Sequence, residues 1–426
     1  MTNNPRLTTN DQRPTAIIYD KWLSGLGGGE VVACTLAIVL RDVGYQVTMV
    51  SDTKVTLSEI KQKLSLDLTG ITLESSNQQL VTSNPQPDLF INISFMDYTY
   101  GIGKRNIYYV HFPSVTRTGL FNTVLLGFVW LKQTFPHLFT PTTNDQRPTT
   151  ILDKLIERIN DRLRAGVFPD MRKRLDSYDT FICHSEFVKG WVKAMWDKDA
   201  TVIYPPVNLI NLNPATSNQK LVTKQNWIVS IGRFFTLGHG KKQEVLIEAF
   251  KKLYDQQPSS AKDNPETSNQ KPATSSLELH LIGGVGTEPS SLRYIEQLKD
   301  MATGYPIYFH FNAKREEVEQ LLLQSKIYWH AGGYGETEPI NFEHFGIAPV
   351  EAISAGCLPV LFDGGGLTEI IDVLRLPIDQ HLFHTIHELV TRTQELMKSE
   401  YHINSQQLSV FSPEAFRKNV LTLLRK

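Results

Sequence analysis

The 426-residue chain exceeds what one hydrophobic core ordinarily serves, so two domains are expected. Its 43 Lys and Arg nearly cancel its 44 Asp and Glu, which argues against a nucleic-acid binder. The three cysteines, Cys34, Cys183 and Cys357, match no metal-ligand spacing and sit in apolar contexts, the pattern of buried free thiols in a reducing compartment.

The N-terminus, MTNNPRLTTNDQRPT, is polar with no apolar leader, and no window reaches the ~18 apolar residues of a membrane span. A cytoplasmic protein is expected, with room for peripheral contact at a membrane surface. Short apolar runs alternate with helix-like stretches. The first-half strands are expected at Ala16–Tyr19, Gln46–Ser51, Asp88–Ser94, Asn106–Val110, Thr180–His184 and Thr201–Tyr204. The second-half strands are expected at Trp227–Ile231, Glu278–Ile282, Ile307–Phe311, Lys326–His330 and Leu358–Phe362. This alternation implies an α/β protein with two doubly wound, Rossmann-like domains facing across a cleft, ligands lying at the carboxyl ends of the strands. The expected divisions are a disordered N-terminus (1–14), an acceptor-side domain (15–208), a linker (209–226), a nucleotide-sugar-binding domain (227–400) and a C-terminal helix (401–426) that packs back on the first domain.

The octapeptide TTNDQRPT occurs at Thr8–Thr15 and again at Thr142–Thr149, and TSNQK recurs at Thr216–Lys220 and Thr267–Lys271. These copies have no solenoid period and a composition that builds no core, so they read as insertions where long loops are tolerated cheaply.

The first strand-to-helix turn carries Gly25, Gly27, Gly28 and Gly29, where the backbone can approach a ligand and a helix start favours a phosphate or a polar sugar face. Its spacing fits neither a P-loop nor the dinucleotide fingerprint. His111 follows a strand in IYYVHFPSV and reads either as a cleft-facing ring or as a satisfied structural histidine. Thr118–Leu131 is strongly apolar, and the stretch Ile151–Arg174 holds Arg158, Arg162, Arg164, Arg172, Lys173 and Arg174. The pair reads as a buried helix beside a solvated one, or as a dock for an anionic membrane.

Arg233 follows a strand and Gly232, and Lys241 and Lys242 open an amphipathic helix; such cations clamp a diphosphate. Gly332, Gly333 and Gly335 form a candidate closing loop. In NFEHFGIAPVEAISAGCLPVLFDGGG, Glu343 and Glu351 flank a Phe345-Gly346-Ile347 turn whose N–H groups face phosphates, while the carboxylates suit sugar hydroxyls. The whole suits a nucleotide-sugar.

GRFF…GHGKK, EHFGIAPVE and GGGLTEI resemble, in order and spacing, the strongest motifs of the retaining glycosyltransferases of family 4, the group 1 transferases with the GT-B fold. YVHFP, VIYPPVN and NFEHFGI are similar to the mannosyltransferases that extend lipid-linked oligosaccharides from GDP-mannose. The resemblance implies that Arg233 and Lys241 hold the donor diphosphate and Glu351 the ribose. It further implies that Glu343 binds the transferred sugar, with the amides of Gly346 and Ile347 beside the phosphates. His111 would contact the donor sugar near the reacting face, and Gly28 and Gly29 would lie by the diphosphate or acceptor. The interval from Arg233 to Lys241 is longer than usual in the family, so Lys241 and Lys242 both stand as the phosphate contact. Retention of configuration, no cofactor, no obligatory metal and a glycan or lipid-linked acceptor are likewise implied. Two rivals stand beside this: a nucleotide-sugar epimerase or hydrolase on the same fold, and a catalytically silent nucleotide-sugar-binding protein. Base and sugar selectivity falls to the loops Gly283–Val285, His310–Ala313 and Gly332–Glu338.

Overall fold

Strands that are short, continuous apolar runs separated by amphipathic helices build parallel sheets covered on both faces. The computed structural model describes residues 13–76, 86–95, 97, 99–113, 169–210, 223–235, 240–257, 277–286, 288–399, 403 and 405–425. In the first half β1 (Thr15–Tyr19) leads into α1 (Gly28–Asp42), then β2 (Gln46–Ser51), α2 (Leu57–Leu64), β3 (Thr72–Ser75), β4 (Leu89–Asn92) and β5 (Arg105–Val110). There follow α3 (Pro169–Asp176), β6 (Thr180–Cys183), α4 (Glu186–Trp196) and β7 (Ala200–Val202). The strands form one parallel sheet in the order β3-β2-β1-β4-β5-β6-β7.

The second half repeats the plan. It comprises β8 (Gln225–Ile231), α5 (Gln243–Asp255), β9 (Glu278–Gly283), α6 (Pro289–Ala302), β10 (Ile307–Phe311), α7 (Arg315–Gln324) and β11 (Ser325–His330). It continues with α8 (Ile347–Ser354), β12 (Leu358–Phe362), α9 (Gly366–Val373), α10 (Ile378–His381), β13 (Leu382–Phe383) and α11 (Ile386–Lys398). Its parallel sheet runs β10-β9-β8-β11-β12-β13. Strand order reverses between β1 and β4 in one sheet and between β8 and β11 in the other, and such switch points open ligand crevices at the strands' carboxyl ends.

Every strand segment expected from the sequence overlaps an observed strand. The edge strands β3 and β13 were not anticipated, and β8 begins at Gln225, inside the stretch expected as linker. The last helix, α12 (Pro413–Leu424), starts at a Ser412 cap with proline in its first turn. It inserts Phe416, Val420 and Leu423 among the buried residues of the N-terminal domain, and Arg105 donates to the Leu423 and Leu424 carbonyls at 2.9 and 2.7 Å. Burying each of those side chains stabilises the association by roughly 1.5–3 kcal/mol.

All three cysteines are buried and free. Among the described residues, no helix is long and apolar enough to cross a membrane. The repeated segments lie outside the described residues save for end residues, as do Thr118–Leu131, Arg158, Arg162 and Arg164. Arg174 departs from the expected basic face. It is 2% exposed, lies over the rings of Tyr108 and Trp196, and donates to the Asp97 carbonyl, so it is a core cation and not a membrane contact.

Candidate active site

A cavity of about 530 Å³ lies between the carboxyl ends of the two sheets. His111, Arg233, Lys241, Glu343, Gly28, Gly29, Gly346, Ile347 and Glu351 all border it. Residues spread over more than two hundred positions of sequence thus meet at one place because the loops and helix starts that carry them lie at the carboxyl ends of the strands.

The glycine turn is built for close approach. A Cβ on Gly27 would lie 2.0 Å from Arg233 Nη2, one on Gly28 would meet Ile347 Cδ1 at 2.9 Å, and one on Gly29 would meet His111 Cε1 at 3.1 Å. The missing side chains are what let Arg233 and Ile347 of the second domain touch the start of α1. The Glu30 carboxylate accepts the Gly27 N–H at 2.5 Å and fixes that turn.

On the opposite wall Gly346, at φ +105°, caps α8. First-turn N–H groups of a helix have no intrahelical acceptor, so the amides from Gly346 onward present partial positive charge to the cavity they border. The three glycines 364–366 serve close packing. Gly364 lies against the rings of Phe342 and Phe362, and Gly365 and Gly366 against the backbone of residues 343–345, where a Cβ on Gly366 would come 2.2 Å from the His344 carbonyl oxygen. Their part is to let α9 support the loop carrying Glu343.

Glu343 is the electrostatic centre of the second wall. It is paired with Lys241 and accepts from His330 Nε2 at 2.9 Å, its side chain only 15% exposed. Burial acts to raise its pKa, but Lys241 and His330 outweigh that and hold the carboxyl well below the ordinary range. Burial keeps His330 itself below the usual histidine range against the pull of Glu343. Lys242 takes a different course: at φ +55° it turns its ammonium to Glu336, and it does not border the cavity.

Glu351 is not a free acceptor. Its Oε1 receives Arg315 Nη1 at 2.9 Å, and Arg315 Nε also donates to Glu319 at 2.7 Å. Burial raises the Glu351 carboxyl, opposed by Arg315. Sequence reasoning missed Arg315, since the pair is separated by a strand and a loop and no local spacing announces it.

Other polar residues of the cavity were missed too: Asp20 after β1, His184 after β6, and His330 and His344 on the second-domain wall. Asp20 is 5% exposed, and its carboxyl is pushed up to about 7 by burial and then by Glu30. Burial holds His111 down at about 4, opposed by a hydrogen bond with the Ile93 backbone, so its ring is neutral at physiological pH. A histidine's neighbours across a fold leave no trace in local spacing, although His184 and Asp20 do each follow an apolar run, the signal by which His111 was noticed.

The walls are joined where the domains meet. Ser185 Oγ donates to the His344 carbonyl at 2.6 Å, and Phe112 stacks on the His344 ring at 4.7 Å. Both Glu369 oxygens accept the Glu186 N–H at the start of α4, at 2.8 and 3.0 Å, and Tyr204 donates to the same carboxylate at 2.8 Å.

Comparison with known proteins agrees with this architecture. The family described as glycosyl transferases group 1 matches residues 214–400. A GDP-Man:Man(3)GlcNAc(2)-PP-Dol alpha-1,2-mannosyltransferase of Dictyostelium discoideum is 21% identical over 348 residues, covering 78% of this chain and 61% of the relative. The Xenopus laevis protein of the same name is 27% identical over 192 residues, covering 44% of this chain and 35% of the relative. The chain therefore matches from about a third to three fifths of these relatives' length. Among solved structures, Anabaena HepE in complex with UDP superposes with a TM-score of 0.60 at 15% identity, covering 96% of this chain and 99% of that one. WaaG, a glycosyltransferase involved in lipopolysaccharide biosynthesis, gives 0.50 at 13% identity over 95% of this chain and 94% of that one. Residues 214–400 thus match the group 1 glycosyltransferase family, within a chain that has the two-domain GT-B fold.

Proposed function

We propose that the protein transfers a hexose, with retention of anomeric configuration, from a nucleoside diphosphate donor to a hydroxyl of a glycan or lipid-linked acceptor, and that the donor is GDP-mannose. The observation that carries this reading is the convergence of Arg233, Lys241, Glu343 and the two helix N-termini on one interdomain cavity. GDP-mannose is favoured by the names of the sequence relatives.

In this reading Arg233, Lys241 and the amides of Gly346 and Ile347 hold the diphosphate. Fixed donors of this kind stabilise the negative charge that grows on the departing diphosphate; removing one from a preorganised site typically costs ~3 kcal/mol, about a hundredfold in rate. Glu343, ionised through its neighbours, accepts from hydroxyls of the transferred sugar. Glu351 offers the ribose the lone pairs that Arg315 leaves free. His111, being neutral, contacts the donor sugar by hydrogen bonding and not by charge. The acceptor hydroxyl approaches from the N-terminal wall, on the face from which the diphosphate leaves, and a phosphate oxygen takes its proton. The protein contributes positioning and charge stabilisation, with no cofactor and no required metal.

The test is transfer from GDP-mannose to a panel of glycan and isoprenoid-diphosphate acceptors in chelator, followed by proton NMR of the new anomeric centre. An α-linked product that persists in chelator supports the proposal. An inverted product, or donor binding with neither transfer nor sugar release, contradicts it; free sugar released without acceptor moves the assignment to a hydrolase.

A further inference from the structure

His184 is a polar side chain in a place that packing alone would fill with an apolar one. It is the first residue past β6, held between Cys183, whose carbonyl accepts the Ile203 N–H at 2.9 Å, and Ser185, which caps α4. Those two anchors fix its direction, and its ring borders the cavity. Only 8% of the residue is exposed, and its Nδ1 is enclosed without a hydrogen-bond partner among the described residues. An atom so enclosed is out of a ligand's reach, so on this cavity-bordering ring it is the other nitrogen, Nε2, absent from the enclosed unpaired atoms, that is left to meet one.

The surroundings say which ligand. The ring lies 5.7 Å from His111 and 6.1 Å from His344, centroid to centroid, and near enough to Glu343 to feel its charge. It thus sits between the two residues that would hold the transferred sugar from opposite domains. Burial first, and then His111 and His344, keep the imidazole well below the ordinary histidine range. With His111 also neutral and its one N–H engaged by the Ile93 backbone, this part of the wall offers an acceptor from His111, a donor or acceptor from His184, and no positive charge. A hydroxyl, which both donates and accepts, matches such a wall. A carboxylate or phosphate on the sugar does not.

We propose that His184 reads a hydroxyl of the transferred sugar and, with His111, restricts this subsite to uncharged sugars. The inference rests on the donor-binding reading above and names a residue that reading did not contain.

The experiment is calorimetric titration of the full chain and of His184→Leu and His184→Asn. The ligands are GDP, GDP-mannose, and GDP-mannose analogues each lacking one sugar hydroxyl. His184→Leu should bind GDP within about twofold of the wild type and GDP-mannose roughly tenfold or more weakly, with His184→Asn between the two. One deoxy analogue should bind the wild type about tenfold more weakly than GDP-mannose and yet show no further loss in His184→Leu. That pairing of one hydroxyl with one residue is something a merely structural histidine would not produce. If His184→Leu does not fold, the same comparison is made with His184→Asn. Equal GDP-mannose affinity in wild type and variants, or equal loss for every deoxy analogue in all proteins, overturns the assignment. Failure of the wild type to bind GDP overturns the donor reading itself, and this inference with it.

Discussion

Removing Glu343 and Lys241 together should do less harm than the sum of removing each alone. The two side chains are 15% and 18% exposed and in direct contact, with His330 Nε2 on the same carboxylate oxygen at 2.9 Å. Unit charges about 4 Å apart in an effective dielectric near 20 attract by ~4 kcal/mol, and breaking one side of a buried pair typically costs ~3–5 kcal/mol because the other charge is left unpaired. Glu343→Gln should therefore destabilise the C-terminal domain by about 3 kcal/mol, and Lys241→Met by about 2–3 kcal/mol, since His330 still serves the carboxylate. The double variant should cost about 3 kcal/mol rather than the sum, a coupling of roughly 2–3 kcal/mol. A two-domain chain does not unfold in one step, so the readout is native-state hydrogen exchange at the slowest amides of β11 and β12. The coupling also has a pH signature. The Glu343 carboxyl lies below its ordinary value of 4.5 when folded, so its contribution is fully present above about that pH and is lost as the pH falls through the lower folded value. Additive single-variant effects, or coupling that grows on acidification below pH 4.5, would refute the reasoning.

Three further outcomes follow from the same geometry. Asp20, raised from 3.8 to about 7, penalises the folded state fully above pH 7 and not at all below about 3.8, so Asp20→Asn should be more stable than wild type at pH 8, by at most about 4 kcal/mol. The advantage should shrink steadily toward pH 4 in native-state hydrogen exchange at the slowest amides of β1 and β4; an Asn variant less stable at pH 8 would show that the carboxylate has a partner of greater value. Gly366→Ala should lower both melting temperature and donor affinity, because its Cβ would come 2.2 Å from the His344 carbonyl and displace the loop holding Glu343; unchanged donor affinity in calorimetry would contradict this. Glu369→Gln weakens the carboxylate cap on α4 by about 1 kcal/mol, so exchange of the Glu186 amide should quicken several-fold while the slow amides of both sheets stay unchanged.

Much of the fold was legible because parallel strands buried on both faces leave continuous apolar runs in the chain. β3 and β13 were missed for the converse reason: β3 is the polar run Thr-Leu-Glu-Ser at a sheet edge, and β13 is two residues long. Of the site, what could be read lay in local motifs, such as the glycine turn, Arg233 after its strand, and Glu343 and Glu351 around Gly346. What could not be read depended on distant contacts. Arg315 reaches Glu351 from another helix, and the choice between Lys241 and Lys242 is made by a left-handed backbone at Lys242 that sends its side chain to Glu336. The three glycines 364–366 pack against the loop of residues 342–345, Gly364 on the Phe342 ring and Gly365 and Gly366 on its backbone, a role visible only once α9 is seen against that loop.

The central claim is that one interdomain cavity binds a nucleoside diphosphate through Arg233 and Lys241. Its most direct test is a metal-free thermal-shift titration of GDP, UDP and ADP and their sugar conjugates against the wild type, Arg233→Ala and Lys241→Ala. The account predicts a concentration-dependent rise in melting temperature with GDP and GDP-mannose that is largely lost in both variants. A wild type indifferent to every nucleotide, or variants that respond as the wild type does, would contradict it.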